Sequence, residues 1–208
     1  MLADILITVL LIASTFYMTL VLLRFLLQLA RADFYNPISQ FVVKATNPLL
    51  RPLRRVIPGW GGIDGAALVL AVLVQALTLF LIIVLLTGAI PGINPIKLVV
   101  WAVLNIMDLV IKIYFAALIV TVVVSWIAPH SGHPGIQLVA QIIEPVARPV
   151  RNLIPPMGGL DLSPIVIFLI LQVLTAVVDH MKLVTGLSKL TQELGTLAGG
   201  LGSIGLGM

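Results

Sequence analysis

The chain has 208 residues, 60% of them hydrophobic and 10% charged, with a formal net charge of +4 and no cysteine. A soluble domain is about a quarter charged, so this chain lacks the polar surface to coat a water-soluble globule, and its mean hydropathy of +1.19 agrees. The absence of thiols excludes disulfides, thiolate metal centres, c-type haem attachment and cysteine catalysis.

The apolar residues fall into four runs, Leu2–Ala30, Ala66–Ile90, Ile96–Ala128 and Pro164–Thr185. Each reaches the roughly 20 residues a helix needs to cross a bilayer core. The first run has no basic leader, is too long for a signal peptide and has no convincing cleavage site, so it reads as a retained span.

A basic linker follows it. Arg31, Lys44, Arg51, Arg54 and Arg55 stand there against Asp33 and Asp64. Asn36-Pro37 has the form of a helix cap followed by proline at the first helical position, and Asn47-Pro48 repeats it. Pro52 then removes an amide hydrogen that a helix would use, which predicts a short turn or a kink over Pro48–Val56. Arg51, Arg54 and Arg55 share one face at i, i+3 and i+4, while Leu49, Leu50, Leu53, Val56 and Ile57 cover much of the rest. Such a segment lies in the membrane interface with its guanidinium groups toward phosphate. Pro58 and Gly61-Gly62 turn the chain, and Asp64 stands where a carboxylate caps the next helix and meets its dipole.

In the second run, Gln75 is followed three residues later by Thr78; in the fourth, Gln172 by Thr175. An amide in hydrocarbon needs a partner, so these glutamines should face protein, and could meet each other between the halves. In the third run, Asp108 and Lys112 are spaced for a helical ion pair. Trp101 and Trp126 lie 25 residues apart, about 38 Å of helix, which suits aromatic belts at the two interfaces. His130 and His133 in HSGH lack a third ligand, and turn residues surround them. No metal or cofactor is expected, although His180 at a membrane edge leaves a haem-delivery reading open. No phosphate loop, nucleophile elbow or paired-carboxylate motif occurs, so no catalytic residue is expected, and the basic patches lack the aromatic interleaving of a nucleic-acid binder.

The second linker repeats the first. RPLRRVIPGWGGID, Arg51 to Asp64, returns as RPVRNLIPPMGGLD, Arg148 to Asp161, 97 positions later. Pro37 with Pro134, Gln40 with Gln137, Gln75 with Gln172 and Tyr17 with Tyr114 keep the same offset. The fold expected is therefore all-α and polytopic. About four transmembrane helices form two tandem parallel repeats, residues 1–90 and 96–185, each with an interfacial amphipathic segment, followed by a mobile Gly-rich tail at 186–208. Two crossings return the chain to its starting side, so the pseudo-axis should run along the membrane normal, unlike inverted transporter repeats. Arg148 and Arg151 join the first linker in a positive-inside bias. It places both linkers in the cytoplasm and both termini outside, although Lys182 and Lys189 near the end weaken it.

NPLLRPLRRVIPGWGGID and EPVARPVRNLIPPMGGLD, each before an apolar span bearing a glutamine, resemble the bacterial YggT family of small integral membrane proteins. The resemblance covers roughly residues 5–185. Relatives include YlmG proteins and a chloroplast factor for cytochrome b6f cofactor assembly. The resemblance implies the bacterial inner membrane and roles in membrane assembly, cell division or stress tolerance, without an established catalytic residue set. Asn152 departs from Arg55 and weakens the second basic cluster. The leading expectation is a non-enzymatic scaffold or assembly protein. Its lipid- or partner-contact candidates are Arg51, Arg54, Arg55, Arg148 and Arg151, with Arg51 and Arg148 placed on anionic headgroups or on the two aspartates. Other membrane proteins are the expected partners, self-association stays open, and no nucleic acid is expected. The alternative is a channel or transporter component acting through Gln75, Gln172, Asp108 and Lys112.

Overall fold

The structure, a computed structural model, describes residues 2–57, 59, 64–89, 92, 94–128, 131–154, 161–189 and 192. The turns at Pro58 and Gly61-Gly62, His130 and the chain from 193 lie outside the described residues. The helices are α1 (Leu2–Leu29), α2 (Pro37–Val56), α3 (Gly65–Thr87), α4 (Pro95–Ile127), α5 (Pro134–Leu153) and α6 (Ser163–Thr185). Four of them, α1, α3, α4 and α6, are long and apolar enough to cross a membrane.

Sequence chemistry accounts for most boundaries. Pro37, Pro95 and Pro134 stand at helix starts, where a missing N–H costs nothing. The residue before each supplies the cap. Asn36 Oδ1 accepts the Ile38 N–H at 2.9 Å, Asn94 Oδ1 the Ile96 N–H at 2.9 Å, and His133 Nδ1 the Gly135 N–H at 3.1 Å. His133 is thus a cap at the position equivalent to Asn36. Gly88 and Gly186 end α3 and α6 in the left-handed region, at φ 64° and 78°, where a side chain would be strained.

The amphipathic linkers depart from expectation. α2 runs unbroken through Pro48 and Pro52, and α5 through Pro145 and Pro149. Prolines four apart fall on one face, and all four are exposed. The carbonyls they leave unpaired therefore lie on the polar side, where water or headgroups can take them. Packing by Ser39, Val42, Thr46 and Leu50 on the opposite face holds the helix together. Asn47 is consequently a mid-helix residue and caps nothing. At the offset of 97, α2 and α5 coincide at both ends.

Each half packs alike. α1 lies on α3 and α4 on α6, while α2 and α5 close the ends where these pairs are joined. Val21, Leu50 and Leu70 form one core with Met18, Leu22 and Ala66. Leu118, Ala147 and Ile167 occupy the equivalent places in the other. The halves meet along α3 and α4 and between α2 and α5. Leu26, Leu27 and Val42 pack there on Leu138 and Ile142. Two hydrogen bonds cross the same joint: Asn36 Nδ2 donates to the Pro134 carbonyl at 2.8 Å, and the Asp33 N–H to Gln141 Oε1 at 3.0 Å. Both linker helices therefore sit at one end of the bundle.

The tryptophans do not match. Trp126 is 85% exposed, as a belt residue would be, but Trp101 is 3% exposed. Its indole N–H donates to the Thr185 carbonyl at 3.3 Å, and the Lys97 ammonium lies 4.9 Å from its ring centroid, a cation–π distance. Trp101 covers the free carbonyls at the end of α6 instead of anchoring in headgroups. Leu187, buried with Leu79, Trp101 and Leu104, ties down the chain where a mobile tail was expected to begin.

Candidate functional site

At the linker end, an arginine of each amphipathic helix grips the start of the following span. Arg54 pairs with Asp64, whose Oδ1 also accepts the Ala67 N–H at 3.3 Å. Arg151 Nε lies 3.2 Å from Asp161 Oδ2, and its Nη1 lies 3.0 Å from Glu144. Asp161 Oδ1 accepts the Ser163 N–H at 2.9 Å. The expectation that Arg51 and Arg148 reach these aspartates is corrected. The partners are Arg54 and Arg151, one turn further along and so facing the span. Arg51, Arg55 and Arg148 are exposed and, among the described residues, form no ion pair.

The two pairs differ in setting. Asp64 is 3% exposed, whereas Asp161 and Arg151 are each 43% exposed. The Asp161 carboxyl sits below its usual range, chiefly through Ser163, whose backbone N–H donates to it. Arg151 adds to this, and partial burial opposes it.

Arg24 is the residue that sequence reasoning missed. It is 6% exposed, and its Nη1 donates to the Val43 carbonyl at 3.1 Å, Thr46 Oγ1 at 2.8 Å and Asn47 Oδ1 at 2.9 Å. The signal was a lone guanidinium near the end of an apolar run, which is costly unless paired. Beside it lies a cavity of about 520 Å³ lined by Arg24, Gln28, Phe34, Arg54 and Asp64. Two guanidiniums against one carboxylate leave this hollow net positive.

Toward the other end, α1, α3 and α4 enclose a second cavity of about 490 Å³, lined among others by Ser14, Thr15, Gln75, Asn105, Asp108 and Lys112. The expected Asp108–Lys112 pair is present at 3.2 Å. Lys182 of α6 joins it, 2.9 Å from Asp108 and 3.8 Å from Asp179. Gln75 faces this cavity. Gln172 is exposed on the outside of α6, and α3 and α6 make at most marginal contact, so the expected meeting of the two glutamines does not occur. The halves join through α3 and α4, which leaves α6 on the rim. His180 is exposed, and no group of three metal-ligating side chains exists among the described residues.

The family model described as CCB3/YggT matches residues 3–85 and again residues 100–182. The chain belongs to the CCB3/YggT family. A Pseudomonas aeruginosa protein carrying the name "uncharacterized" is 50% identical over 175 residues, covering 84% of this chain and 88% of its own. Escherichia coli YggT is 37% identical over 176 residues, covering 82% of this chain and 87% of its own. The chloroplast YlmG homolog protein 2 of Arabidopsis thaliana is 36% identical over 66 residues, 32% of this chain and 26% of its own. None of these family names is enzymatic. No solved structure matches the chain. The two matched stretches begin and end 97 residues apart, the offset at which the Arg54–Asp64 and Arg151–Asp161 pairs recur.

Proposed function

We propose that this YggT-family protein is a non-enzymatic assembly platform of a bacterial inner membrane. Two basic amphipathic helices at the cytoplasmic face hold anionic headgroups and partner membrane proteins. The carrying observation is the pairing of α2 with α5 at one end of the bundle, each pinned to its following span by one arginine while others stay free. Burial of Ser39, Val42, Thr46 and Leu50 on one side of α2 leaves Arg51 and Arg55 outward. The net-positive hollow at Arg24 and Arg54 fits one phosphate head. The excess of arginine at this end supports a cytoplasmic placement.

The experiment combines lipid retention with neighbour mapping. The protein and an Arg51→Gln, Arg55→Gln, Arg148→Gln variant are extracted from their own membrane. Anionic lipid is quantified by mass spectrometry, and photo-crosslinks are read from positions on α2 and α5. Loss of retained lipid and of a reproducible neighbour supports the platform. Unchanged lipid and an unchanged crosslink pattern would remove it.

The second cavity favours one other reading, a small-solute site. Gln75, Asn105, Asp108 and Lys112 present polar atoms at membrane depth. In liposome flux, a signal abolished by Gln75→Leu would elevate this reading over the platform.

A further inference from the structure

Gln172 lies nine residues into α6, about 14 Å along the helix from its first residue, near the middle of a bilayer core about 30 Å thick. Its side chain is exposed, and it has no hydrogen-bond partner among the described residues. In water this would mean nothing. At this depth the exposure is to hydrocarbon, where an unpaired amide is expensive. Gln75, its equivalent, lines a cavity, so the cost is specific to the outer face of α6.

The amide does not stand alone. Ile165, Leu169, Gln172, Ala176, Asp179 and Leu183 follow one another at spacings of 4, 3, 4, 3 and 4, and every one is exposed. That alternation is the seam along which a second helix packs, and Ala176 lets a backbone come close. Alongside, α4 and α6 leave an apolar hollow of about 310 Å³ lined by Leu118, Ile119, Val122, Phe168 and their neighbours. Toward the outer end, Asp179 is 59% exposed. Its nearest cation, Lys182, lies 3.8 Å away and is held more closely by Asp108 at 2.9 Å.

We infer that the outer face of α6 docks one transmembrane helix of a different membrane protein. That helix carries an amide or hydroxyl side chain opposite Gln172 and a lysine or arginine about two turns nearer the outer surface, opposite Asp179. A second copy of this chain fits poorly. Both copies share one membrane orientation, so pairing α6 with itself would satisfy the glutamines but set Asp179 against Asp179, and like charges on a seam select against that pairing. Charge complementarity therefore names a basic partner. The inference rests on the platform reading and gives it a surface and a partner class.

The test uses the full chain in its native membrane, with a photo-reactive residue at Leu169 or Ala176 on the seam and at Val173 or Val177 off it. The expected result is one protein adduct from the seam positions only. Peptide mapping should place it in a transmembrane helix bearing a basic residue outward of the crosslink, by about 15 Å from Leu169 and about 5 Å from Ala176. Gln172→Leu and Asp179→Lys should each lower the adduct about three- to tenfold. Reversing the partner's basic residue to aspartate should restore it against Asp179→Lys, and thermal stability in detergent should stay unchanged. An adduct of twice the chain's own mass, equal yields on and off the seam, or no loss in either variant overturns the inference. If α2 and α5 positions still capture a neighbour in that case, the platform reading stands and only this surface falls.

Discussion

Arg24 carries more of the fold at the residue scale than any arginine of the repeated motif. It lies on α1, and one of its terminal nitrogens reaches three acceptors on α2, locking the amphipathic helix to the first span. Replacing it with Met keeps the apolar stem but takes from Asn47 Oδ1 and Thr46 Oγ1 the donor that ties them to α1. We expect a loss of about 1–3 kcal/mol in equilibrium unfolding from detergent. The aspartates give a matched comparison. Asp64→Asn keeps an oxygen that can accept the Ala67 N–H but leaves the Arg54 guanidinium without its buried carboxylate, which should cost about 1–3 kcal/mol. Asp161→Asn, with both partners half in solvent, should stay within about 0.5 kcal/mol. The pH dependence has a definite sign. A carboxyl held below its ordinary value contributes above that value, near 3.9, and the contribution fades as pH falls through the lower folded value. Wild type and Asp161→Asn should therefore differ slightly at neutral pH and converge only in strong acid. A difference that grew on acidification would contradict the assignment.

At the scale of the element, α2 and α5 show how a helix tolerates two prolines. The missing hydrogen bonds all lie on the exposed face, so the loss is met by solvent or headgroup while the buried face packs without interruption. Pro52→Ala restores an N–H to the Pro48 carbonyl and removes a ring that no core residue needs. Amide exchange over residues 53–56 should slow by an amount corresponding to about 1–3 kcal/mol, with Arg54 still on Asp64. Faster exchange, or a lost ion pair, would mean that the prolines set the bend that aims Arg54.

For the whole molecule, each half sends a span across, folds an amphipathic helix over its end and returns. The halves meet along α3 and α4 and between α2 and α5. That arrangement requires Lys44 and Asn152 to lie in one compartment and Gly92 in the other. Single cysteines at these positions in this cysteine-free chain, labelled from one side with an impermeant reagent, should react as two against one. Labelling of Lys44 and Asn152 from opposite sides would end the parallel arrangement.

The sequence alone determined the number of the spans and, to within a few residues, their ends, because crossing length is a property of an unbroken apolar run. It also determined the doubled architecture, since an offset of 97 keeps Pro, Arg, Gly and Asp in register. It misjudged whatever depends on a neighbour distant in the chain. Pro52 looked like a breaker because the packing that overrides it comes from α1 and α3. Arg51 looked like the partner of Asp64 because spacing does not say which turn faces the span. Trp101 looked like a belt residue until the end of α6 was set against it. Only the tertiary structure decided that Gln75 turns inward and Gln172 outward. Similar local sequence, QALT and QVLT, faces α4 in one half and the outside of the bundle in the other, and burial belongs to the assembled surface.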